Sequence, residues 1–212
     1  MIIVAGIFFL FAFIHSITIT RTFKEACKRR FGDTFMRVYY RAVYNVVSVA
    51  TAAAAFSWIR TIPDRTLWTE PLWLRLGMYS AQAGALLFAS RAFDYLDSGE
   101  FLGIKQIRRY LRDREIGGNI EGLTQKDLVT RGVYGIVRHP LYVAGIVFFT
   151  CNPHITVNGL TVTVLADAYF LFGMFIEERR FVTIFEDQYR EYMKQVPRMI
   201  PRVGKRGKDT LL

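Results

Sequence analysis

"IIVAGIFFLFAFIHSITI", residues 2–19, contains no Asp, Glu, Lys or Arg. A bilayer core about 30 Å thick is crossed by about 20 helical residues, with about 17 as a lower limit. The stretch meets that limit and predicts a membrane-spanning helix. No positive charge precedes the apolar run, no small-residue cleavage pattern follows it, and basic residues come next. It therefore reads as a retained first helix and not as a cleaved signal peptide.

Further apolar blocks follow. "AVYNVVSVATAAAAFSWI", 42–59, is equally free of charge, and "LGMYSAQAGALLFAS", 76–90, sits inside a helix expected from about Leu72 to Phe93. Residues 140–157 form a fourth block, and "GLTVTVLADAYFLFGMFI", 159–176, a fifth that only Asp167 interrupts. The chain is 52% hydrophobic, and that content is gathered into long runs. The expectation is an all-α, polytopic membrane protein with about five transmembrane helices and a C-terminal cytosolic amphipathic helix. It reads as one membrane domain over 1–212. Within it are an N-terminal three-helix part (1–93), a cytosolic segment (94–131) and a cofactor-binding part with two helices and a tail (132–212).

The formal charge of +10 invites a nucleic-acid reading, but the basic residues are distributed otherwise. Segments 21–41, 91–138 and 177–212 carry seven, nine and nine Lys or Arg, while the intervening loops hold only Arg60, Arg65 and Arg75. Basic residues that alternate sides with successive helices follow the positive-inside pattern. The N-terminus is placed outside, the long basic segments and C-terminus in the cytoplasm, and the excess charge suits anionic headgroups. No nucleic-acid partner is expected. Cys27 and Cys151 fall on opposite sides and cannot pair, and no metal-ligand spacing is present.

The first outer loop is punctuated by Pro63 and Pro71, with Trp58, Trp68 and Trp73 placed as an interfacial belt. On the inner side, "IKQIRRYLRDRE" puts Ile104, Ile107 and Leu111 at helical spacing among cations. That predicts an amphipathic helix on the membrane surface, ended by "GGN" at 117–119. Pro140 suits the first turn of the fourth helix, and Pro153 makes that helix short or kinked. The fifth helix should end at "EERR", 177–180. Phe181, Phe185, Tyr189, Tyr192 and Val196 then form an apolar stripe on a following helix, which Pro197 and Pro201 break. The end, "GKRGKDTLL", reads as frayed.

Two polar clusters meet at the inner face if the last two helices are antiparallel neighbours: Arg131 to Tyr142, and Glu177 to Arg202. A helix N-terminus offers free backbone N–H groups and a positive dipole end, and with Arg138 beside it suits a carboxylate or phosphate. Glu177 and Glu178 suit a cation or hydroxyl groups. Tyr134, Tyr142, Tyr189 and Tyr192 offer faces to a ring or a sulfonium. S-adenosylmethionine has all these parts, although the residues alone do not single it out. At least one of the two glutamates reads as a local ion-pair partner of nearby arginines, and the Phe/Tyr stripe reads mainly as packing. His15 and Asn45 lie at similar depth near the inner face. They read equally as an interhelical hydrogen bond or as part of a substrate pocket. Asp167 lies near mid-membrane and needs a partner.

"GVYGIVRHPLY", 132–142, followed by "EERRFVTIFEDQYREYMKQVPRMIPR", 177–202, resembles the C-terminal half of the isoprenylcysteine carboxyl methyltransferase family, whose relatives include membrane phospholipid methyltransferases. The shared pattern is Gly132 and Tyr134, Arg138 to Tyr142, Glu177-Glu178, Tyr189 and Tyr192, and Val196 to Arg198. This chain has Val133 where that family often has Pro, and Glu186 where it often has Gly. The N-terminal half resembles the NnrU-like and methanethiol S-methyltransferase-like branch. The motifs are "HS" at 15–16, "YRAVYN" at 40–45 and "EFLGIKQ" at 100–106.

The resemblance implies S-adenosylmethionine bound at the inner face. Its site would include Gly132, Tyr134, Arg138, His139, Pro140, Tyr142, Glu177, Glu178, Tyr189, Tyr192 and Arg198, with Arg138 and Glu178 as the catalytic pair and Arg198 closing the pocket. His15 and Asn45 would belong to the substrate pocket, and the acceptor would be a small thiol such as methanethiol or a lipophilic molecule. Two other classes remain open. Sterol-reductase-like membrane enzymes bind NADPH near a similar motif, although theirs typically reads His-Pro-Asn-Tyr and Leu141 stands here in the Asn position. An NnrU-like accessory membrane protein would bind no cofactor.

Overall fold

The charge-free block at the start of the chain forms a helix with the same bounds, α1 (Ile2–Ile19). A computed structural model describes residues 1–120 and 127–201; among them the regular structure is helical. The tail "GKRGKDTLL" lies outside the described residues. The second apolar block is α3 (Tyr40–Ile59), the third α4 (Leu72–Phe93), and the fourth α7 (Pro140–Thr150). The fifth runs on past its apolar stretch as one long element, α8 (Val157–Gln195).

Three stretches are long and apolar enough to cross a membrane: α1, the run ending in α3, and α8. α4 has the length, but Arg75, Gln82 and Arg91 dilute its apolar character. α7 has 11 residues, about 16 Å of helix, well short of a bilayer core of about 30 Å. Packing nevertheless puts all five side by side. α7 lies between α4 and α8, and α1 lies between α8 and α3.

The basic segment after α1 is a helix that hydropathy does not reveal, α2 (Arg21–Thr34). The Thr20 side chain caps it, accepting from Phe23 N. Its regular path breaks at Gly32 (φ 85°), and a π-helical turn, Phe35–Tyr39, leads into α3. The Tyr40 hydroxyl donates to the carbonyl of Thr18, tying this corner to α1.

Beyond α4 come a short α5 (Ser98–Phe101) and the amphipathic α6 (Ile104–Asp113), which ends at Arg114 in a left-handed conformation, three residues before the glycines expected to stop it. These elements dock on the first turns of α3. Arg41 Nε and Asn45 Nδ2 both donate to the Phe101 carbonyl at 2.9 Å. Gly103 has φ 82°, and a Cβ there would sit 2.5 Å from the backbone nitrogen of Ala42, so only glycine allows the approach. Buried Glu100 receives Arg109 at 3.0 Å. The two N-terminal motifs of the sequence, "YRAVYN" and "EFLGIKQ", are the two halves of this joint.

At the opposite end the loops pin one another. Asn158 donates through Nδ2 to the carbonyls of Ile62 and Pro63, each at 3.2 Å, and its backbone N–H donates to Asp64 at 2.9 Å. A single antiparallel bridge joins Thr66 and Thr156. Trp58, Trp68 and Trp73 are all exposed there, as a belt requires.

Candidate active site

Gly132 opens a 3-10 turn, Gly132–Gly135, with φ 64°. A Cβ on it would lie 2.1 Å from ring atoms of Tyr95, so the missing side chain is what lets the turn close on that ring. The turn is held from the far end of the chain, where the Tyr192 hydroxyl donates to the Tyr134 carbonyl at 2.5 Å. Three residues on, Arg138 N donates to Pro197 O at 2.9 Å. Pro140 then starts α7 at its first position, where its lack of an N–H costs nothing.

The side chain of Arg138 turns inward and is buried. Nε and Nη2 both donate to Glu178 Oε1, at 3.0 and 2.5 Å, while Nη1 donates to the carbonyls of Met193 (3.1 Å) and Val196 (2.6 Å). Four of the five guanidinium N–H groups thus have protein acceptors. Such a set is impossible on an unbroken helix, since Glu178 and Met193 would stand about 22 Å apart along the axis. The break at Glu186 (φ 46°, ψ −120°) brings the second part of α8 back toward the first.

Glu178 is the hub of the cluster. Besides Arg138 it receives Arg198 Nη2 at Oε2, and His139 Nε2 lies 3.2 Å from Oε1. Burial pushes the Glu178 pKa up, but the hydrogen bonds from Arg198 and Arg138 outweigh it, and the carboxyl lies below its ordinary range. His139 also faces the other glutamate, with Nδ1 3.4 Å from Glu177 Oε2. The two carboxylates differ in access, with side chains 35% exposed for Glu177 and 6% for Glu178. Tyr142 stands edge-on to the His139 ring at 5.5 Å. The Arg198 guanidinium lies over the Phe175 ring, 4.4 Å from its centre.

Tyr189, Tyr192 and Val196 are buried together, with Phe181 and Phe185 partly buried against them. Burial pushes the phenols of Tyr134 and Tyr189 up to about 12, each helped by a neighbouring glutamate. A cavity of about 310 Å³ opens beside the hub, lined by Phe175, Glu178, Arg179, Val182, Met193 and Arg198. That is within the range of small-ligand sites, roughly 300–1,000 Å³. A larger, shallow hollow on the apolar face of α6 is a surface feature without acid–base groups. No group of three or more metal-ligating side chains occurs among the described residues.

The NnrU protein family matches residues 2–201. The chain belongs to the NnrU family. Relatives carry a more specific name: it is 26% identical to the methanethiol S-methyltransferase of Crocosphaera subtropica, over 98% of this chain and 77% of that protein. The enzymes of the same name from Pseudomonas deceptionensis and, numbered 2, from Bradyrhizobium diazoefficiens are 28% and 27% identical. Those alignments cover 91% and 92% of this chain and 69% and 70% of the relatives, respectively. No solved structure matches.

In this NnrU-family chain His15 and Asn45 do not pair. Asn45 serves the α3–α5 joint, while His15 Nδ1 lies 3.1 Å from Ser48 Oγ and its Nε2 3.0 Å from the Tyr44 hydroxyl. Next to it, Ser16 Oγ and the Tyr169 hydroxyl are 2.9 Å apart. Asp167 finds Thr150, whose hydroxyl donates at 2.7 Å. Sequence reasoning passed over Tyr44, Tyr169 and Phe175. Tyr44 lies within "YRAVYN", one position before the Asn that attracted attention, and an aromatic residue in an apolar helix carries no signal by itself.

Proposed function

We propose that this NnrU-family protein is a membrane methyltransferase that transfers a methyl group from S-adenosylmethionine to a small thiol. One observation carries the reading: proteins named methanethiol S-methyltransferase align with this chain almost end to end. The geometry supports it, because the parts of the chain expected to share a cofactor site meet around one hub beside a cavity.

The residues fit such a donor by their chemistry. Glu177 is the accessible carboxylate for an amino or sulfonium cation, Arg198 and the start of α7 suit a carboxylate, and Phe175, Tyr134 and Tyr142 offer aromatic faces. Bound there, the sulfonium would supply an activated methyl group. Arg138 and Glu178 act one step back, since their polar atoms are taken up by each other, by Arg198 and His139, and by the tail carbonyls. They hold α7 against the returning end of α8, and His139 passes that order on to Glu177. The protein's contribution is alignment and exclusion of water around a thiolate nucleophile.

The same reading makes α1, α3, α4, α7 and α8 five crossings, with the N-terminus outside and the hub at the cytoplasmic face. The alternation of basic segments supports that orientation. Calorimetric titration of the detergent-purified protein with S-adenosylmethionine, S-adenosylhomocysteine and NADPH tests the proposal. Binding of the two adenosyl ligands is expected. Binding of NADPH alone would point to a reductase, and binding of none to an accessory role.

A further inference from the structure

Three tyrosines on three helices and one histidine on a fourth converge beside the hub. His15 (α1) is bracketed by Tyr44 and Ser48 (α3), and its ring lies 5.4 Å from that of Tyr44, 5.7 Å from Phe11 and 6.3 Å from Tyr169 (α8). Tyr142 (α7) packs on the next turn of α8, its ring 6.1 Å from that of Phe170 and against Gly173, and it meets the hub through the His139 ring at 5.5 Å. A hydrogen-bonded, aromatic cluster thus surrounds His15 and continues along α8 to the edge of the hub. Four packed helices with only apolar work to do have no need of an imidazole there. An ionisable group within a spanning helix calls for a functional account.

We infer that His15 is the proton acceptor for the methyl-accepting thiol, which binds among the rings of Phe11, Tyr44, Tyr142 and Tyr169. This rests on the thiol-methylation reading above. Ser48 Oγ accepts from Nδ1–H and fixes the tautomer, leaving Nε2 basic and facing the Tyr44 hydroxyl, which links it to the thiol. As the S–H bond breaks, the proton passes to Nε2. The sulfur's electron pair forms the new S–CH3 bond with the methyl of a sulfonium donor, whose own S–CH3 bond breaks to leave a neutral thioether. The imidazolium then returns the proton to water. A small aliphatic thiol suits this cluster because phenolic and aromatic rings accept a polarisable sulfur and its methyl group alike.

Few groups surround His15 among the described residues. From α3 it meets Tyr44 and Ser48, with Arg41 over the far side of the Tyr44 ring at 6.0 Å. From α8 it meets Tyr169, while Asp167 on that helix turns to Thr150 of α7.

The test uses the full chain in detergent with S-adenosylhomocysteine bound and ethanethiol as the probe. The chain has three histidines, so the carbon-13 resonance of the His15 ring is assigned by its loss in His15→Gln. Ethanethiol is expected to shift the wild-type His15 signal toward the protonated form. His15→Gln is expected to leave S-adenosylhomocysteine affinity unchanged and to lower the methylation rate at neutral pH by about 10²–10⁴-fold. That loss should shrink as rising pH ionises the thiol in solution. Tyr44→Phe, the milder variant, should lose about tenfold with the same recovery. A His15 signal indifferent to ethanethiol, or unaltered pH profiles in both variants, would overturn the inference. Failure of the wild type to bind S-adenosylhomocysteine would instead strike the methyltransferase reading itself.

Discussion

At the scale of single residues, the two adjacent glutamates have separate jobs that the sequence could not separate. Both belong to one motif and both have arginines nearby, so spacing alone makes them equivalent. The fold distinguishes them by burial: Glu178 is enclosed by Arg138, His139 and Arg198, while Glu177 keeps an open edge. Removing one member of a buried pair leaves an uncompensated charge, at a cost of roughly 3–5 kcal/mol. Arg138→Ala is therefore expected to lower the thermal midpoint markedly. Glu177→Gln should leave the midpoint nearly unchanged and weaken S-adenosylhomocysteine at least tenfold, about 1.4 kcal/mol. Thermal unfolding and calorimetry on the two variants check this, and the opposite pairing of effects would return Arg138 to the ligand. Acid should act through the same hub. The Glu178 pKa is depressed in the folded state, so its contribution is present above the ordinary carboxylate pKa and is lost as pH falls through the lower, folded value. A Glu178→Gln variant should lack that acid-dependent loss.

At the scale of elements, helix positions were largely legible because apolar length and proline placement are local signals. α1 and α4 have the expected bounds, and α7 starts at Pro140. α2 was not legible, since its charged composition looks the same in a loop and in a surface helix. The break in α8 was misplaced for a different reason. The expected stop at "EERR" rested on the end of hydropathy, whereas the chain stays helical past it and breaks at Glu186, inside the Phe/Tyr stripe. There φ is 46° and ψ −120°, backbone that side chains adopt only under strain of about 1–3 kcal/mol. Glycine is what the resemblance to the isoprenylcysteine carboxyl methyltransferase family leads one to expect at this point. Glu186→Gly should relieve the strain, less about 0.4–1 kcal/mol for the freer unfolded chain. A net gain of about 1 kcal/mol would raise the thermal midpoint by about 2–4 °C in a chain of this size. Thermal unfolding in detergent decides it, and a lower midpoint would mean that α8 does not turn back here.

At the scale of the whole molecule, the order α4, α7, α8, α1, α3 puts the N-terminal motifs and the C-terminal motifs on one side of the bundle, although some 120 residues separate "HS" from "RHP" in the sequence. That proximity was not legible, because it depends on α1 packing against α8, and nothing in a charge-free helix names its neighbour. Sidedness is a proposal that rests on the alternation of cations. If the basic segments are cytoplasmic, the α5–α6 joint, the hub and His15 all approach the inner face, and the Asp64–Asn158 lock faces outward. Single cysteines report this directly. In a Cys27→Ser, Cys151→Ser background, Leu67→Cys on the outer loop and Arg112→Cys on α6 both place a thiol at an exposed position. A membrane-impermeant maleimide applied to intact spheroplasts should label Leu67→Cys at once and Arg112→Cys only after permeabilisation. Labelling in the reverse order would invert the molecule, put the hub on the far side of the membrane from cytoplasmic S-adenosylmethionine, and leave the proposed chemistry without its donor.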